Sequence, residues 1–199
     1  MGPEPILIST GAASSDPAES MLATALAAAT DGGEALATTL EALPAPIYVT
    51  DADGWVTSFN TACVDFAGRT PVVGRDRWCV SWRLYSEAGD YLPHERCPMA
   101  VAIRDRRRIR GAVAMAERPD GTRVMFVPYP TPILDPDGAT TGAVNLLLDV
   151  TDKRQASALD AQASRCRRLA EALSDARTVA TLTGMAAEYE AKARELRQD

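Results

Sequence analysis

The sequence predicts an α+β fold, an antiparallel sheet carrying helices and leading into a helical hairpin at the C-terminus. Three observations predict it. Asp-Gly turns at Asp53-Gly54, Asp120-Gly121 and Asp137-Gly138 each separate two apolar runs, and Asp-Gly between such runs is the strongest short hairpin signal. The run from Gly142 to Val150 is almost continuously apolar, as a central strand covered on both faces must be. Beyond it, Ala156, Leu159, Ala163, Cys166, Ala170 and Leu173 recur at alternating steps of three and four, as do Val179, Leu182, Ala186, Tyr189, Ala193 and Leu196. That spacing gives two amphipathic helices, and Ser174 and Asp175 supply the break and a new cap between them.

Residues from Met1 to about Ser20 are rich in Gly, Pro, Ser and Ala, and such a segment reads as a mobile tail. A helix is predicted over Pro17 to Ala29, stopped by Asp31-Gly32-Gly33, and a second over Glu34 to Leu43, ended by Pro44. Ile47 to Asn60 forms a hairpin around Asp53-Gly54. Thr61 to Gly68 is helical. Gly74 to Leu92 is irregular yet holds Trp78, Trp82 and Tyr85, an aromatic content that predicts a loop packed inward. Pro98 suits the first turn of a helix that points Met99 and Ile103 to one side. Strands follow over Ile109–Glu117, Thr122–Leu134 and Gly142–Val150, and Thr151 is placed to cap the helix that begins near Lys153. The domain boundaries are a tail with a short helix over residues 1–33, a folded domain over 34–154, and a helical hairpin over 155–199.

Residues 43–154 resemble a PAS domain. The segment Pro46 to Asn60 is similar to that family's first hairpin, with Asn60 opening the first helix, and Asp149-Val150-Thr151 is similar to the Asp-Ile-Thr signature that ends its sheet and opens a signalling helix. The resemblance implies a five-stranded antiparallel sheet with helices on one face, an internal cavity walled by the aromatic loop, and output through the C-terminal helices. Under it, Trp78, Trp82, His94, Met99, Ile103, Met115 and Phe126 line the cavity, with ordinary core as the alternative role. Asp149, Val150 and Thr151 carry the signal.

Composition narrows the function classes. A net charge of −6 and a pI near 4.9 argue against nucleic acid and anionic membranes as partners. The run Arg104–Arg110 holds five arginines beside Asp105 and reads as a solvated helix end. No Lys or Arg precedes Arg69, so no positively charged leader is expected, and no run is apolar enough to span a bilayer. The chain reads as cytoplasmic. The cysteines Cys63, Cys79, Cys97 and Cys166 lack paired spacing and read as reduced, buried thiols.

His94, the single histidine, is the one candidate for haem ligation. It stands where the resemblance puts the iron ligand of haem-binding PAS sensors, with Gly111 at the matching distance. Pro98, four residues on, conflicts with a helix through both, which favours a hydrogen-bonding histidine in the preceding turn. Cys79, His94 and Cys97 are too dispersed for a zinc site, and no acidic partner stands beside His94 and Cys97 for nucleophilic chemistry. The flavin-binding subfamily places Asn before its reactive cysteine and Arg and Phe after it. Here Trp78 precedes Cys79, and Val80 and Ser81 follow. Phosphate loops and kinase signatures are missing, and the C-terminal helices contain no histidine to accept a phosphoryl group. The resulting expectation is a non-enzymatic sensory protein that binds a small ligand or protein partner and forms a homodimer through its helices. A haem-dependent sensor using His94 is the alternative.

Overall fold

The computed structural model describes residues 16–198. Residues 1–15, where most of the predicted tail falls, lie outside the described residues. Helix α1 (Pro17–Asp31) starts behind Asp16, whose carboxylate accepts from Ala18 N, so residues 17–20 are already helical. Helix α2 (Glu34–Glu41) follows the two glycines. Strands β1 (Ile47–Asp51) and β2 (Val56–Phe59) make the first hairpin, and α3 (Thr61–Ala67) ends on Gly68 in the left-handed region. After β3 (Arg83–Ser86), a 3-10 turn (His94–Arg96) and α4 (Pro98–Asp105) come β4 (Ala114–Glu117), β5 (Arg123–Pro128), β6 (Thr131–Leu134) and β7 (Thr140–Asp149). Helices α5 (Thr151–Glu171) and α6 (Ala176–Glu195) complete the described chain.

The sheet is antiparallel, in the order β2-β1-β7-β5-β4-β3, with β6 also paired to β7. Among the described residues it has seven strands where the resemblance implied five, for two local reasons. Pro128 and Pro130 lack an N–H and split one long strand into β5 and β6, although both segments keep a single register on β7, with Pro128 opposite Leu147 and Thr131 opposite Val144. The other addition is β3, inside the stretch predicted to be irregular, which joins the edge of β4 with Leu84 opposite Ala116. The strand predicted over Ile109–Glu117 begins only at Ala114.

Alternation on the strands divides the apolar residues between two layers. On one face Tyr48, Phe66, Met99, Ile103, Val124, Phe126 and Leu147 pack beneath α3 and α4. On the other, Ile47, Val49, Val144 and Leu146 meet Leu22, Ala25 and Leu40 of α1 and α2. The central strand is covered on both sides, which is why its sequence is continuously apolar. Arg110 ties α1 down, its guanidinium donating to Glu19 Oε1 at 2.5 Å and to Thr131 Oγ1 at 3.1 Å.

Helices α5 and α6 form an antiparallel pair. Asp175 caps α6 through Thr178 N at 2.9 Å. Ala163, Cys166 and Ala186 are buried between the helices, with Leu182 and Tyr189 packed against them. Cys166, between α5 and α6, and Leu40, between α2 and the sheet, lie on helices through which the sequence predicts a homodimer, and both are buried within one chain.

Candidate functional site

The layer under α3 and α4 is where the sequence placed a ligand cavity. Met99, Ile103 and Phe126 lie in it, at 1%, 7% and 2% exposure. The Phe66 and Phe126 rings meet edge to face at 5.2 Å, an arrangement that fills space efficiently.

Tyr48 is fully buried at the centre of this layer. Its hydroxyl donates to Trp78 O at 2.9 Å and accepts from Asn145 Nδ2 at 3.0 Å, while Asn145 Oδ1 accepts from Tyr129 N at 3.0 Å. One chain of polar contacts thus crosses the sheet from the aromatic loop to the break between β5 and β6. Each member is satisfied, which is the condition under which a buried polar network can be kept. Burial raises the Tyr48 phenol well above its ordinary range, so it stays a neutral donor. Neither Tyr48 nor Asn145 stood out in the sequence analysis. The available signal was an amide in the middle of an apolar run, where only a paired polar group is tolerated.

Trp78 is half-buried and packs against the edge of this layer. It adopts φ +68°, uncommon for a bulky residue, and its N–H donates to Gly54 O at 2.7 Å. Gly54 has no side chain for a physical reason: a Cβ there would stand 2.1 Å from the Trp78 ring. The Arg77 guanidinium lies 5.0 Å from the Trp55 ring centre and 4.6 Å from that of Trp78, with Nε donating to Asp53 O at 2.7 Å. This stacked lid was not foreseen either, because Trp55 comes from the first hairpin and Arg77 and Trp78 from the aromatic loop.

Two predicted lining residues fall elsewhere. Trp82 is 41% exposed and sits 4.3 Å from the Arg83 guanidinium; Val80 and Leu84 take the interior positions instead. Met115 points to the opposite face, since its neighbours Ala114 and Ala116 are the inward ones. With Met125, its partner across the strands, it floors a groove of about 340 Å³ lined also by Arg123 of β5 and by Thr151, Arg154, Gln155 and Ala158 of α5.

His94 lies in the 3-10 turn before α4, separate from that helix, and its Nε2 donates to Ser81 O at 3.1 Å. Burial holds its imidazole below the ordinary range. Cys79 Sγ is 3.4 Å from Ser81 Oγ, and burial pushes the Cys97 and Cys63 thiols up to about 12. Such thiols are poor nucleophiles and poor metal ligands, because the thiolate is the reactive form. Among the described residues no group of three His, Cys, Asp or Glu side chains is placed to hold a metal ion.

At the sheet's exit the three signature residues divide the work differently from the sequence reading. The N-cap position is Val150, not Thr151. Asp149 Oδ1 accepts from Thr151 N at 2.8 Å, and Thr151 Oγ1 turns back to the sheet, accepting from Met125 N at 2.9 Å. Val150 N donates to Met125 O at 2.8 Å. Arg154 adds an ion pair to Glu87 at 2.8 Å. Asn60 departs similarly from its predicted role. It occupies the N-cap of α3 but its side chain does not cap; it accepts from Ile47 N and donates to Leu40 O, Leu43 O and Ala45 O, fixing the link from α2 to β1.

The family described as the PAS fold matches residues 40–155. Among solved structures, an RNA-binding light-oxygen-voltage receptor is 24% identical with a TM-score of 0.41, the alignment covering 58% of this chain and 32% of the receptor, so the chain spans about a third of its length. The light-oxygen-voltage domain of a blue-light activated histidine kinase from Erythrobacter litoralis is 21% identical, TM-score 0.44, over 55% of this chain and 98% of that one. A light-oxygen-voltage protein from Rhodobacter sphaeroides is 13% identical, TM-score 0.43, over 82% and 94%. No curated protein matched.

Proposed function

Since the chain belongs to the PAS fold family, the match spanning residues 40–155, we propose that it is a non-enzymatic sensory module whose sheet passes a signal to the C-terminal hairpin. The observation that carries this reading is the double attachment of α5 to β5, Thr151 Oγ1 accepting from Met125 N and Val150 N donating to Met125 O. A helix fixed to one strand at its first residue follows that strand when the sheet shifts. The Tyr48–Asn145 network, with one end under the aromatic lid, gives a change at the lid a path to β7 and so to the same exit. A small ligand or a protein partner that binds two arrangements of the lid with different affinity would bias the hairpin accordingly. The partner of the output is a protein, and the hairpin tip, with Leu169 and Leu173 at 50% and 45% exposure, is the surface on which a second copy pairs. No helix among the described residues is long and apolar enough to cross a membrane, which supports a cytoplasmic site of action.

The test is a substitution at the far end of the network. Tyr48→Phe removes the hydroxyl and should change amide exchange in the first turns of α5, and Thr151→Val should abolish that response. Exchange in α5 indifferent to Tyr48→Phe would overturn the reading. An absorption spectrum of the purified protein tests the haem alternative: a Soret band lost in His94→Ala would replace the present proposal.

A further inference from the structure

The outer face of the sheet holds a second hollow, apart from the lid and from the groove beside α5. It has a volume of about 460 Å³ and lies where the end of α1 and the first turn of α2 meet β1, β2, β6 and β7. Leu36, Val49 and Ile133 give it an apolar floor, and Leu134 beside them is 47% exposed. Gly142 keeps it open. This residue lies between Asp51 of β1 and Ile133 of β6, on the same face of β7 as Val144 and Leu146. A Cβ there would stand 2.4 Å from Thr50 O, so no side chain fills the space.

The polar side chains that rim this floor are all acceptors. The hydroxyls of Thr30, Thr57 and Thr141 donate to Leu26 O, Val49 O and Ile133 O, which uses each proton and leaves only lone pairs. Asp51 Oδ1 accepts from Asp53 N and Trp55 N, and Asp135 Oδ1 accepts from Ala139 N, so each carboxylate keeps Oδ2 for another partner. No Lys or Arg occurs in α1, α2, β1, β2, β6 or β7. Arg77 and Arg106 approach the two turns, but they donate to Asp53 O and Gly138 O, and among the described residues neither forms an ion pair with Asp51 or Asp135. The last turn of α1 also lacks a basic residue and ends on Asp31, which leaves the negative end of its dipole uncompensated.

Negative charge, spare acceptors and an apolar floor in one hollow define the occupant. A hard metal ion asks for a shell of oxygen ligands and gains nothing from Leu36, Val49 and Ile133. A neutral apolar molecule leaves the carboxylates without a partner. We propose that the hollow is a binding site for a small organic ammonium ion, its apolar body on that floor and its N–H groups directed to the carboxylates of Asp51 and Asp135. Hollows of this size suit small ligands fixed by a few polar groups. The site is on the opposite face of the sheet from the lid and does not depend on what the lid senses.

Methyl NMR on the full chain tests it with three probes that share one apolar body: phenethylammonium, phenethyl alcohol and hydrocinnamate. At about 30 mM a ligand of this size and ordinary efficiency is mostly bound. Phenethylammonium should then shift the methyl signals of Leu36, Val49 and Ile133 and leave those of Leu84 and Leu147, in the opposite layer, in place. The alcohol should bind about tenfold more weakly, for want of charge-assisted hydrogen bonds, and the carboxylate should not bind. Asp51→Asn with Asp135→Asn retains the side-chain oxygens that the turns use and should weaken phenethylammonium by about tenfold without changing the alcohol. Absence of shifts with phenethylammonium, equal binding of all three probes, or shifts confined to Leu84 and Leu147 would each overturn the proposal, as would full binding by the double variant. The wild-type comparison of the three probes decides even if that variant fails to fold.

Discussion

Thr151→Val is the sharpest perturbation of the exit. Valine keeps the branched shape of threonine and removes the oxygen, so the main loss is one hydrogen bond, Met125 N to Thr151 Oγ1 at 2.9 Å. The Met125 N–H is left beside a methyl group in a half-buried groove, and an unsatisfied buried donor costs about 1 to 2 kcal/mol. The remaining attachment, Val150 N to Met125 O at 2.8 Å, is backbone and survives the change. The structure therefore predicts a local effect: the first turns of α5 open more often, by a factor of about 5 to 30 for that energy, while amides of β1 and β7 keep their protection. Asp149→Ala should add about 1 kcal/mol at the same place through loss of the cap on Thr151 N. Hydrogen exchange resolved by residue reads both. Two results would refute the reasoning: equal loss of protection throughout the sheet, which would make Thr151 an ordinary core contact, or no change in α5, which would mean that Arg154 and Glu87 hold the helix without it.

Met99→Ala, at a position 1% exposed, should cost about 2 to 5 kcal/mol in urea unfolding. Trp82→Ala, at 41% exposure, should cost about 1 kcal/mol or less despite removing a larger side chain; a reversal would put Trp82 in the interior. Burial lowers the folded pKa of His94 from its ordinary 6.5, so protonation favours the unfolded chain. The contribution of His94 is complete above pH 6.5 and declines as pH falls below it toward the lower folded value, and His94→Gln should flatten that part of the stability curve. The hydrogen-bonded carboxylates Glu19 and Glu41 are also lowered, but from 4.5, so their losses begin at more acid pH than that of His94. Sedimentation at tens of micromolar should show a dimer that Leu169→Asp with Leu173→Asp converts to monomer; a wild-type monomer there excludes the sub-micromolar pairing expected of a working dimer.

Elements written into short stretches of sequence were legible. Each Asp-Gly turn needs a glycine at positive φ, and Gly54, Gly121 and Gly138 adopt +85°, +84° and +79°. Pro98 marks the first turn of α4, and Asp175 caps α6. What escaped were features in which two distant segments decide the outcome together. Whether Arg83–Ser86 is loop or strand depends on the free edge of β4, some thirty residues away, and local alternation over four residues is too short a signal to choose. Met115 was expected in the cavity from the resemblance, but it lies on the other face of β4 from Ala114 and Ala116. The face of a strand residue follows from parity with its neighbours, and those neighbours, Ala114 and Ala116, are too small to announce which side is buried.

The signature Asp149-Val150-Thr151 illustrates the same limit within a motif that was correctly located. Threonine before a helical pattern reads as a cap, because a cap needs only the residues that follow it. Thr151 instead bonds Met125, 26 residues upstream, and Asp149 accepts the backbone N–H of Thr151 itself. The exchange of roles has a mechanical consequence. A threonine spent on capping would stabilise α5 and leave it free to swing; a threonine spent on the neighbouring strand removes that freedom and makes the helix an extension of β5. Asn60 follows the same logic at the entrance, giving its side chain to Ile47, Leu40, Leu43 and Ala45 instead of to α3. At both ends of the domain, polar side chains that a local reading assigns to helix caps tie an outer helix to the sheet, which is the stiffness a module needs if movement of the sheet is to reach its flanking helices.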